Sequence, residues 1–296
     1  MNKPLLIAAV FASASALAQG DGKEVVIKTT KLSGNVAMLE GQGGNIGVLY
    51  GDEGALIVDD QYAPLTAKIK AAVAELTPKG IKLIANTHWH GDHTGGNENL
   101  ANEGAIIVAQ DNVRARLVSG GFNKTFQMNI PPAAAKALPV ITYADRIAFH
   151  FNGEDVEAIH VKNAHTDGDV LIHFKKANVL HCGDTFFNGM YPFIDVESGG
   201  SIDGYLAALE KAASIADDKT KVIPGHGPVG DKASILAAHQ VLKGIRDRVK
   251  ALVDGGKSVD EVVAAKPTHE WDAKWGQGFM KPDLFAKIVA TSLHKK

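Results

Sequence analysis

The chain has 296 residues with 45% hydrophobic and 22% charged side chains, which excludes a disordered polymer and leaves enough apolar material for a sizeable core. Its 31 Lys and Arg against 33 Asp and Glu give a net charge of -2, so the basic surface that a phosphate backbone requires is lacking and nucleic acid is not expected as a partner. Cys182 is the only cysteine, which excludes an intramolecular disulfide and leaves stability to packing and any bound metal.

Residues 1–18 read as a secretory signal. Lys3 supplies the positive end, Leu5 to Ala18 form an apolar and small-residue run, and Ala16-Leu17-Ala18 is a small-x-small cleavage site before Gln19. The run is shorter than the ~20 residues a spanning helix needs, so stable membrane insertion is not expected. The mature chain is assigned to the periplasm or the secreted fraction after cleavage near Ala18. Residues 19–296 are expected to form a single domain with a helical extension from about 231.

β-Forming residues cluster between glycines at 24–31, 35–39, 45–50 and 55–59, with Gly51-Asp52-Glu53-Gly54 as a hairpin turn. A helix follows from Pro64, with Leu65, Ile69, Val73 and Leu76 at helical spacing. The apolar run Ile81 to Ala85 is a buried strand, and it delivers the densest polar cluster of the chain: Asn86-Thr87-His88-Trp89-His90-Gly91-Asp92-His93-Thr94-Gly95-Gly96-Asn97. His88 and His90, two apart in extended chain, project to one side. Asp92 and His93 lie beyond Gly91, where the backbone can turn and aim a second pair elsewhere. One loop can therefore feed one metal ion or two. Thr87 and Asn97 are candidates for hydrogen bonds that fix this loop.

Past the loop, a short helix is expected at 97–101, a strand at 105–109, and a helix at 111–118 capped by Asp111. Residues 119–132 are glycine-rich, carry Phe122, Phe126 and Met128 without periodicity, and read as a loop over a binding cleft. Strands resume at 146–151, 156–161, 170–174 and 179–182. A helix at 202–215, a strand at 221–223, the rigid turn Pro224-Gly225-His226-Gly227-Pro228 and a helix at 232–253 complete the series. His165, Asp184 and His226 each follow a strand, and short connections would open all three loops on one edge.

With His88-x-His90-x-Asp92-His93, then His165, Asp184 and Pro-Gly-His226-Gly in order, the chain resembles the metallo-β-lactamase superfamily over roughly residues 35–230. The resemblance implies an α/β fold, a four-layer αβ/βα sandwich, with a dinuclear zinc site at one edge. It assigns His88, His90 and His165 to the first zinc, Asp92, His93 and His226 to the second, and Asp184 as the carboxylate between them. His90 supplies nitrogen where relatives that do iron redox chemistry carry a carboxylate, which favours zinc hydrolysis over redox. Two dications with Asp92, Asp184 and a hydroxide leave a positive centre that attracts anionic substrates. Asp92 is expected to orient that hydroxide and to shuttle a proton to the leaving group.

Other residues have assigned places as well. Asp59 is expected to hold the free ring N–H of a ligand histidine. Cys182, two residues from Asp184 on a strand end, should point the same way and support the ligands from behind. Phe187 and Tyr191, within the apolar stretch 186–194, are expected to line a substrate cleft opposite Phe122 and Phe126.

The expected function is an exported dinuclear zinc hydrolase that opens amide, ester or lactone bonds of a small molecule, with at least weak β-lactamase activity. Two departures count against β-lactams as the principal substrate. The best-studied lactamases of the family have cysteine in place of Asp184 and a lysine in place of Phe187. The aspartate resembles glyoxalase II-type thioesterases and lactonases, whose basic glutathione-binding patch has no match here. A lactonase or thioesterase is the alternative, and a non-catalytic periplasmic metal-binding or relay protein is the alternative of another class.

Overall fold

Alternating apolar side chains on short strands build the central layers of the protein, seen in a computed structural model that describes residues 24–294. The expected secretory signal lies outside the described residues. Four antiparallel strands come first: β1 (Lys28–Ser33), β2 (Val36–Glu40), β3 (Ile46–Gly51) and β4 (Gly54–Val58). Asp52 and Glu53 form the tight turn between β3 and β4, and Gly54 takes the φ of +110° that this turn requires. Helix α1 (Thr66–Ala74) leads to β5 (Ile81–Ala85), helices α2 (Gly91–Thr94) and α3 (Asn97–Asn102), β6 (Ile106–Gln110) and helix α4 (Asp111–Ser119).

Two features of this half differ from expectation. The cap of α4 is Gln110, whose side chain accepts from the Asn112 amide, not Asp111, because the helix starts at Asp111 itself, directly after β6. Residues 119–132 are not an open loop: β7 (Gly121–Asn123) and β8 (Met128–Ile130) pair as a small hairpin. β9 (Ile141–Tyr143) then joins β6 and completes a seven-stranded sheet of order β1-β2-β3-β4-β5-β6-β9.

The second sheet runs β10 (Arg146–Phe151), β11 (Glu154–His160), β12 (Val170–Phe174), β13 (Val179–His181) and, after helix α5 (Ile202–Ile215), β14 (Lys221–Ile223). Helices α6 (Lys232–Asp254), α7 (Val259–Ala264), α8 (Asp272–Trp275) and α9 (Pro282–His294) follow.

Strand alternation explains the layering. On β4, Leu56 and Val58 face the second sheet, where they meet Val170, Ile172, Phe174 and Val179. Ala55 and Ile57 face the other way onto Leu65, Ile69 and Val73 around α1. On the second sheet, Leu171 and Leu180 turn from the first sheet toward Leu206 and Leu209 of α5, Ile235 and Leu242 of α6, and Val289 of α9. The result is an αβ/βα sandwich. Each fully buried Val, Leu or Ile side chain contributes about 1.5–3 kcal/mol, so two sheets with four such faces hold the edge loops on a rigid base.

Chain direction puts the polar loops together. β4 and β5 are parallel, as are β13 and β14, and two antiparallel steps make β11 run with β13. Asn45, at the start of β3, ties the two sheets at this edge: its Nδ2 donates to the carbonyls of Pro224 (3.0 Å) and Gly227 (2.9 Å), and its backbone N donates to Gly225 O (2.7 Å).

Candidate metal centre

The loop after β5 is held before any ion is considered. Asp59, just past β4 at φ +66°, accepts from the Thr87 amide (2.7 Å), the Thr87 hydroxyl (2.7 Å) and the ring of His93. Asn86 and Asn97 form a reciprocal amide pair, at 3.2 and 3.0 Å, that closes the loop upon itself. α2 begins at Gly91, directly after His90 in extended conformation, so the backbone turns where the glycine predicts and carries Asp92 and His93 to another side.

Seven side chains converge in two groups. His88, His90, His165 and Asp184 offer ligand atoms within 4.8 Å of one another, and Asp92, His93 and His226 do the same. Asp184 stands between them. Its Oδ2 lies 3.5 Å from His165 Nε2 and 3.8 Å from His88 Nε2, while its Oδ1 lies 3.1 Å from His93 Nε2 and 3.5 Å from His226 Nε2. Gly225 makes room for this carboxylate, since a Cβ there would stand 2.0 Å from Asp184 Oδ1.

The outer ring nitrogens are fixed by other partners. His93 Nδ1 meets Asp59 Oδ2 at 2.8 Å, His88 Nδ1 meets the Thr87 hydroxyl at 3.0 Å, and His165 Nδ1 meets Phe193 O at 2.8 Å. His90 Nε2 meets Asp195 Oδ2 at 2.9 Å, which leaves His90 Nδ1 to face His165 Nε2 at the same distance. Asp195 is itself buried and held by the Ser198 hydroxyl at 2.6 Å. The inner atoms lack such partners: His88 Nε2, His93 Nε2 and Asp184 Oδ1 are buried with no hydrogen bond. A cation satisfies such a cluster, and an imidazole and carboxylate set suits zinc.

Burial, with His93 beside it, holds His88 well below the ordinary imidazole value, and burial brings His165 down to about 4. At His93 and His226 burial also opposes charge, but Asp184 and Asp92 outweigh it, raising His93 strongly and His226 to about 9. Burial would raise Asp92 and Asp184. The facing His93 and His226 outweigh it, and both carboxyls lie below the usual range.

The remaining expected residues divide. Cys182 does not continue the strand alternation: β13 ends at His181, Cys182 takes helical dihedrals, and its thiol is buried in the apolar cluster against α5. Tyr191 is not a cleft residue. It is fully buried, stacks on Phe285 at 4.8 Å, and donates its hydroxyl to Asp272 at 3.0 Å, so it anchors its loop to the C-terminal helices. Phe187 is buried against His226, with ring centroids 4.9 Å apart. Phe122 and Phe126 are exposed on the β7–β8 hairpin, and Phe126 lies 5.0 Å from Phe193, whose ring stacks on His90 at 5.8 Å.

Sequence reasoning missed Asp195 and Phe279; Phe193 lies in the apolar stretch 186–194 expected at the cleft. The spacing Asp195-x-x-Ser198, a turn in which an aspartate binds the residue three on, was a usable signal for the first.

Residues 39–226 match the sequence profile of the metallo-beta-lactamase superfamily, and the chain belongs to that superfamily of metal-dependent hydrolases. It is similar to a hydroxyacylglutathione hydrolase of Gloeobacter violaceus, with 31% identity over 147 residues, 47% of this chain and 50% of that protein. The match thus spans half the length of that relative. A beta-lactamase-like protein 2 homolog of Caenorhabditis elegans is 23% identical over 247 residues, 79% of this chain and 73% of that protein. Among solved structures, a metallo-beta-lactamase from Pontibacter korlensis superposes with a TM-score of 0.60 at 18% identity, covering 73% of this chain and 99% of that one. The sec-alkylsulfatase from Pseudomonas sp. superposes at 0.64 with 17% identity, covering 88% and 50%. These two likenesses show the fold alone.

Proposed function

We propose that the protein is an exported dinuclear zinc hydrolase that opens amide, ester or lactone bonds of small molecules, with at least weak β-lactamase activity. The observation that carries this reading is the placement of Asp184, one carboxylate oxygen toward each ligand group. His88, His90 and His165 would hold one ion, Asp92, His93 and His226 the other, and Asp184 both. When bound, two zinc ions supply Lewis acidity toward a carbonyl oxygen and acidify water to a pKa near ~7.

The chain's own residues supply the rest. Thr87, Asp59, Asp195 and the Phe193 carbonyl fix the four imidazoles they touch, so the ligand atoms need no rearrangement. Of the two carboxylates Asp92 is the more open, its side chain 23% exposed against 4% for Asp184. That suits it to orient a water and to carry a proton to the leaving group. Export rests on the residue pattern of 1–18, and the helices beyond 231 form an extension of one domain.

Thioesters or lactones are the second reading. Support comes from the aspartate at 184 and from the identity with the hydroxyacylglutathione hydrolase. A panel of lactams, lactones, esters and thioesters on zinc-replete protein, repeated after verified zinc removal, tests both readings. Hydrolysis is expected to vanish with the metal and return with it. Full activity of the stripped protein would end the proposal, and a lactone or thioester rate far above that for nitrocefin would favour the second reading.

A further inference from the structure

The described residues contain three exposed phenylalanines, Phe122, Phe126 and Phe279, at 49%, 43% and 54% of full exposure. Singly exposed apolar side chains are ordinary, but two of these adjoin the ligand histidines, Phe279 directly and Phe126 through Phe193. On one side Phe126 lies 5.0 Å from Phe193, which packs on His90 (5.8 Å) and His165 (5.6 Å). On the other Phe279 lies 6.1 Å from Phe187 and 6.3 Å from His226, and Phe187 stacks on His226. Asp184 separates the two sides, with Oδ2 toward the first and Oδ1 toward the second.

Phe279 is held outward by its surroundings. Met280 and Trp275 on either side of it are buried, and Gly278 sits so close to Met190 that a Cβ would stand 3.1 Å from its Cβ. Tyr191 N also donates to Trp275 O at 3.0 Å, so the segment before α9 is fastened to the loop that follows Asp184. A fixed, exposed ring is a preformed contact surface. It lies beyond residue 226, where the superfamily match ends.

We infer that Phe126 and Phe279 are two separate apolar walls, one beside each ligand group, and that the preferred substrates are uncharged carbonyl compounds with an apolar group on each side of the scissile bond. The inference rests on the hydrolytic reading above and names its substrate class: alkyl and aryl esters rather than carboxylate-bearing molecules. Water adds to the carbonyl carbon, the bond to the alcohol oxygen breaks, and the alcohol leaves with a proton. Phe187, buried and stacked on His226 at 4.9 Å, puts an apolar ring and not a cationic group beside the second ligand group.

Two ester series test this on zinc-replete protein, one lengthening the acyl group from acetyl to octanoyl and one lengthening the alcohol from methyl to octyl. Calorimetric affinity for N-alkyl alkanohydroxamates, uncharged probes varied at both ends in the same way, gives a readout that needs no turnover. Each added methylene should raise kcat/KM and affinity about three-fold until the wall is covered. Phe279→Ala should flatten one series and Phe126→Ala the other, with about ten-fold loss for the longest members, mainly in KM. Phe279→Leu should restore most of the loss at unchanged zinc content.

Flat series, or both alanine variants flattening the same series, would overturn the two walls. Preference for carboxylate-bearing esters would overturn the substrate class. Length-dependent hydroxamate affinity without ester turnover would uphold the walls and overturn the ester substrate class, and it would overturn the hydrolase reading as well if lactams, lactones and thioesters were also left intact. Absence of hydroxamate binding at every length would overturn both.

Discussion

The carboxylate of Asp59 and the imidazole of His93 form a fully buried pair, Oδ2 to Nδ1 at 2.8 Å, and the same carboxylate holds the backbone and hydroxyl of Thr87. One residue at the end of β4 therefore sets both the ring of one ligand and the first turn of the loop that carries four.

Asp59→Asn tests this without disturbing the backbone, because asparagine tolerates the positive φ found there. Zinc affinity at the Asp92, His93 and His226 group should fall about 10–100-fold, read by competition with a chromophoric chelator. An unchanged affinity would show that the pair does not position the ligand.

Asp195 plays the corresponding part at the other group, through His90 Nε2. Asp195→Ala should weaken metal at the His88, His90 and His165 group by about 10–100-fold and change the visible spectrum of the cobalt-substituted protein. Ser198→Ala, which removes only one support of Asp195, should have a smaller effect in the same direction. Equal effects of the two substitutions would contradict this order.

Gly225→Ala places a methyl 2.0 Å from Asp184 Oδ1 and 2.7 Å from the backbone of Gly183. The carboxylate has to move, at a cost of about 1–3 kcal/mol in stability. The variant should melt lower and bind fewer than two zinc ions per chain. Wild-type zinc content with wild-type activity would mean that the position of Asp184 is not critical.

Metal binding should also depend on pH in a defined direction. Asp184 and Asp92 outweigh burial and keep the metal-free His226 protonated up to about 9, from an ordinary value of 6.5. A cation must displace that proton, so affinity should rise with pH toward about 9 and fall below it. In the metal-free chain the same shift contributes stability that is complete below 6.5 and lost as pH rises through about 9. Calorimetry in buffers of different ionisation heat reads the released proton. A pH-independent affinity would contradict the assignment.

Local pattern carried much of this fold. β5, β12, α5 and β14 fall at the residues that apolar runs and turn signals mark, because each is a short apolar or amphipathic run with a glycine, a proline or a capping serine beside at least one end. The seven polar residues could be selected because four of them fall within six residues beyond β5 and the other three follow β11, β13 and β14. The hairpin at 121–130 was less legible: its strands are three residues long and lack alternation, so pairing across Gly121 and Ile130, not pattern, defines them. Tyr191 and Phe187 sit four residues apart in one apolar stretch, yet one joins the core and the other packs on His226. Only the packing of the C-terminal helices separates them. Asp195 reaches His90 across 105 residues and Phe279 reaches His226 across the fold; the Asp195-x-x-Ser198 turn marks the first residue but not its partner, and nothing local marks the second.

The central claim is that Asp184 lies between two ions. Anomalous diffraction at the zinc edge, on crystals of the zinc-loaded protein, tests it most directly. Two peaks are expected about 3.5–4 Å apart, one beside His88, His90 and His165 and one beside Asp92, His93 and His226, each within bonding distance of a different Asp184 oxygen. A single peak at full zinc loading, or two peaks with Asp184 bonded to neither or only one, would contradict it.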